Sequence, residues 1–107
     1  MILIVAPDRQ PAVAVQDATD LKRLSARVPG DVTAAALAAA LAGFAGVDAD
    51  GAHLHVDVAA LKAAAARTSE AGADAGWSQS FDGMIAYARG KGWVDAQNRV
   101  RVHIERG

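Results

Sequence analysis

The sequence predicts an α+β domain, and three observations carry that expectation. Runs of β-branched residues such as "ILIV" (2–5) and "RVRVHIE" (99–105) read as strands. Alanine-rich segments opening on Asp31 and Asp57 read as capped helices. At 107 residues the chain fits one domain, with enough length to bury a core unaided by metal or disulfide.

In order, 2–5 is a short buried strand ended by Pro7 and Asp8, and "AVAV" (12–15) is a second. Asp17 or Thr19 then caps an expected helix reaching Val28, with Leu21, Leu24 and Val28 on its apolar side. Pro29-Gly30 ends it. Asp31 is the next expected cap, for a helix over 32–44 with Leu37, Leu41 and Phe44 on one stripe. "GVDADG" (46–51) reads as a turn. "AHLHV" (52–56) follows as a strand, with Leu54 and Val56 on one side and His53 and His55 on the other. Asp57 caps a helix over 58–67 in which Val58, Leu61 and Ala65 face inward. "TSEAGADAG" (68–76) is a small-residue loop, and a last helix runs from 77 or 78 to 89. "GKG" stops it, "WV" starts a strand, "DAQN" turns, and 99–105 alternates as the final strand.

From residue 31 this order is helix, strand, helix, helix, strand, turn, strand. It resembles a winged helix, a helix-turn-helix core beside a small sheet whose last two strands form the wing. Residues 1–30 would be an added N-terminal strand and helix, all within one domain of 1–107. The resemblance rests on element order, so it implies a fold and leaves function to the side chains.

Composition excludes several classes. A net charge of −1 gives no general attraction to nucleic acid or anionic lipid. Residues 77–107 carry five basic and three acidic side chains, too small an excess for a basic domain. With no cysteine, thiolate metal sites and cysteine nucleophiles are absent. "MILIVAP" lacks the basic start and cleavage site of a secretion signal. The uncharged run 32–47 is shorter than the ~20 residues of a membrane span. A cytoplasmic protein is expected. Arginine outnumbers lysine eight to three and 27 residues are alanine, which suggests a GC-rich genome of origin.

Three patterns invite a chemical reading. On a strand His53, His55 and Asp57 project to one side, and His103 shares that side if the two strands pair. Three imidazoles could then hold zinc with an open fourth position. A solvated strand face explains the same alternation, and Asp57 already has a capping role, so no metal or other cofactor is expected. The second pattern is Arg89, Lys91, Arg99 and Arg101 near the expected wing, which could meet DNA phosphates. The third is a strip of small residues on the last helix. Gly83, Ala86 and Gly90 fall at i, i+3 and i+7, with Gln79 and Tyr87 beside them. Glycine within a helix costs roughly 1 kcal/mol against alanine, so a closely approaching backbone is expected there, from the chain's own N-terminus or from a partner. No catalytic constellation is apparent. The leading expectation is a non-enzymatic binding module working through protein–protein contact, homodimeric or with another chain. A DNA-binding regulator and a histidine-based zinc protein stand as alternatives.

Overall fold

Period-two segments build one sheet. Its strands are β1 (Ile2–Val5), β2 (Val13–Gln16), β3 (Ser25–Val28), β4 (Ala45–Val47), β5 (His53–Asp57) and β6 (Arg99–Arg106). They lie in the order β2-β1-β3-β6-β5-β4 in the computed structural model, which describes residues 1–107. β1 pairs in parallel with β3, and β3 with β6; the other three pairings are antiparallel. β6 therefore sits inside the sheet, where parallel pairing on one side meets antiparallel pairing on the other.

Four helices complete a mixed α+β architecture: α1 (Ala34–Ala40), α2 (Val58–Ala66), α3 (Ser69–Gly72) and α4 (Trp77–Gly90). Asp57 caps α2 as expected, its carboxylate accepting the Ala60 N–H at 2.9 Å. α1 is shorter than expected. Thr33, and not Asp31, supplies its cap by accepting the Ala36 N–H at 3.1 Å, and Gly43 adopts φ +84° just beyond its end. Thr68 caps α3, one helical turn inside the segment expected to be loop, accepting the Ala71 N–H at 3.2 Å.

The largest departure lies in the N-terminal quarter. The expected helix over 17–28 does not form: 17–24 is a chain of turns, and Ser25–Val28 is a strand. Leu21, Leu24 and Val28 do have helical spacing. However, Ala26 and Val28 also alternate with Ser25 and Arg27, and the parallel slot between β1 and β6 rewards that second period with full burial. Tertiary pairing decided between two locally permitted readings. Ala45–Val47 likewise pairs with β5, so the turn expected over 46–51 begins later, at Asp48. The expected strand at Trp93-Val94 contracts to one bridge, Val94 to Val100. The N-terminal strand joins the sheet through β2 and β3.

All 20 buried residues are hydrophobic and form one cluster. Leu3, Val5, Leu54, Val56, Val100 and Val102 supply it from the sheet; Leu37, Leu61, Phe81 and Ile85 meet them from the helices. α2 touches β5 and also β2, four places apart in the strand order, so the sheet curls around it. Burying each such side chain contributes about 1.5–3 kcal/mol. The opposite sheet face carries His53, His55, Asp57, Arg99, Arg101 and His103, all partly or fully exposed. No helix is long and apolar enough to cross a membrane.

Candidate functional site

On the open face, register brings the polar positions into rows. His53 lies opposite His103, His55 opposite Arg101, and Asp57 opposite Arg99. The His53 and His103 rings meet edge to face, 5.6 Å between centroids. His55 does not join them. Its Nε2 donates to the Asp48 carboxylate at 2.5 Å. Two of the three expected histidines are thus together, and the third turns to an acid.

Asp48 and Asp50 were not foreseen as site residues. Both lie in the β4–β5 turn, where Gly51 adopts φ +69° and the Asp50 Oδ1 accepts the Ala52 N–H at 2.9 Å. The turn carries both carboxylates back over β5, each 3.9 Å from His53 Nδ1. One donor atom from each of Asp48, Asp50 and His53 falls within 4.8 Å of the others. The sequence does hold the pattern D-x-D-x-x-H-x-H over 48–55, but its two halves meet only once the hairpin closes.

The four cations considered for phosphate contact are differently placed. Arg89 Nη2 donates to the Asn98 side chain at 2.8 Å. Arg99 Nε donates to Asp95 at 3.0 Å. Lys91 Nζ lies 5.5 Å from the Tyr87 ring centroid, and Arg101 is exposed. Asp95 organises the turn before β6. Partial desolvation would raise its pKa, but donation from the Arg99 and Gln97 N–H groups and the Arg99 guanidinium outweighs this and holds it below the usual carboxylate value.

On α4 the buried stripe is Trp77, Phe81, Ile85 and Ala88, and the small-residue strip faces away from it. Gln79, Gly83, Ala86 and Gly90 are exposed. A Cβ built at Gly83 or Gly90 meets nothing within 4 Å, so the chain's own N-terminus does not cover the strip. Nor does Gly90 serve as the left-handed terminator of the helix, a conformation found instead at Gly92, φ +79°. Beside the strip stand the two exposed large hydrophobic residues of the molecule, Tyr87 (63% exposed) and Trp93 (39%). Their rings pack edge to face at 6.2 Å. A cleft of about 340 Å³ opens next to this pair.

Comparison with protein-family models, curated proteins and solved structures finds no match for this chain.

Proposed function

We propose that this domain is a non-enzymatic binding module that works by protein–protein contact through the outward face of α4, with a second copy of the chain as its partner. The observation that carries the reading is an uncovered strip of small residues beside an exposed aromatic pair. Two glycines weaken α4 by roughly 1 kcal/mol each against alanine, and nothing within the chain packs on them. A facing backbone would use the flat surface they leave, and Tyr87 and Trp93 supply the aromatic area that interfaces favour. A two-fold pairing needs no other partner, since one patch meets its own copy. From α1 onward the order is one helix, two strands, three helices and one strand, with a single Val94–Val100 bridge where a wing hairpin would lie; a winged-helix likeness would put α4 in the recognition position.

Gly83→Leu tests this reading. Wild-type chain should show concentration-dependent dimers by light scattering, and the variant should remain monomeric. Its melting temperature should be unchanged or slightly raised, because leucine is the better helix former and the site is open. A wild-type chain that stays monomeric at high concentration ends the proposal. Tight binding to random duplex DNA, lost on changing Arg99 and Arg101 to Ala, would favour a nucleic-acid role instead.

A second reading, zinc binding, is favoured by one observation, the convergence of Asp48, Asp50 and His53. These are oxygen and imidazole donors of the kind zinc accepts. His55 would act on Asp48 from outside, orienting its carboxylate through their hydrogen bond. Under this reading the purified chain takes up one zinc ion after dialysis, and His53→Gln loses it. Failure to retain zinc stoichiometrically ends the reading.

A further inference from the structure

β3 has four residues and β6 has eight. With Ser25 opposite His103, residues 99–102 of β6 run past the start of β3. Their neighbour on that side is the 93–94 segment, held by the Val94–Val100 bridge and by the Arg101 N–H donating to the Trp93 carbonyl at 2.9 Å. Between Trp93 and Leu24 the sheet is split, and the 340 Å³ cleft opens at the split. That volume is at the small end of the range for ligand pockets.

The interior wall is apolar, formed by Leu21 and Leu24 from the turns before β3 and by Met84 and Ile85 from α4. Tyr87 and Trp93 form the rim. The polar lining is Lys22, Arg101, His53 and His103, with no acid among the lining residues. Neither Lys22 nor Arg101 has a carboxylate within ion-pair distance; the pairs present involve His53, His55, Lys62 and Arg99.

We propose that this cleft binds a small apolar monocarboxylate. Its hydrocarbon part would lie against Leu21, Met84 and Trp93, and its carboxylate would face Arg101 and Lys22. An apolar wall makes burial of a second negative charge costly, which favours one carboxylate over a dianion. Unpaired cations at the mouth favour an anion over a neutral or cationic ligand of the same shape. This site lies inward of the α4 contact surface and shares Tyr87 and Trp93 with it at the rim.

Tryptophan emission provides the test, because Trp93 lies at the cleft and Trp77 is buried elsewhere. Titration with octanoate should give a saturable change, octylammonium should give none, and 1-octanol should bind more weakly. Arg101→Gln, at an exposed position, should weaken octanoate about tenfold with no change in melting temperature. Lys22→Gln should act in the same direction. Trp93→Phe should abolish the signal. The proposal is overturned if hexanoate, octanoate and decanoate all fail to saturate at millimolar concentration. It is also overturned if octylammonium binds as tightly, if both charge variants leave the affinity unchanged, or if the Trp93→Phe chain still responds through Trp77.

Discussion

Phe81→Ala should destabilise the domain by about 3–5 kcal/mol, enough to leave a marginally stable domain of this size partly unfolded at room temperature. Phe81 is fully buried and the largest of the side chains that are. It lies on the stripe of α4 that faces the core, with the Trp77 ring 5.3 Å away on one side. Surrounding strands are pinned by their ladders and cannot collapse into the space. Urea unfolding checks the value, with the wild-type slope as reference. A loss below about 1 kcal/mol would mean that α4 does not pack on this sheet as described.

Trp77→Ala should cost a similar amount, about 3–5 kcal/mol, and Trp77→Phe separates its two causes. The Trp77 Nε1–H donates to the Ala18 carbonyl at 2.7 Å, a buried hydrogen bond between residues 59 positions apart. Phenylalanine keeps most of the apolar area but leaves that carbonyl unpaired, for about 1–3 kcal/mol. Since Ala18 belongs to the turns that lead to Leu21, Lys22 and Leu24, the Phe variant should also loosen the wall of the cleft. Amide exchange over 17–24 should then rise more than elsewhere. Equal exchange throughout the chain would show that the hydrogen bond does not hold this segment. The two substitutions share neighbours, so their effects should not add.

How far the sequence foretold this structure depended on how local each signal was. Asp57 before an alanine-rich run, and the alternation of Val100, Val102 and Ile104, each decide their own conformation, and both appear as expected. Residues 17–28 did not, because helical and strand periods overlap there and the choice was made by β1 and β6, whose positions no local window contains. The site follows the same rule. Pairing of His53 with His103 was legible once two strands were taken as neighbours. The approach of Asp48 and Asp50 required the β4–β5 turn, and "GVDADG" conceals that β4 runs into it. The cleft had no sequence signature, since it exists where one strand is longer than its neighbour.

The central position of β6 also bears on how the chain reaches its structure. Synthesis delivers the strands in numerical order, so β1 and β3 emerge long before the strand that lies beside β3 and joins the two halves of the sheet. Until then β3 has one open ladder edge, β5 has another, and the apolar face they share has no complete floor. Each pairing across β6 closes a long loop: residues 25–28 wait for 103–106. Such non-local closure slows folding and leaves strand edges available to other chains meanwhile. The nascent chain is thus most exposed to misassembly just before residue 106 is free, when β2-β1-β3 and β4-β5 can pair but nothing yet joins them.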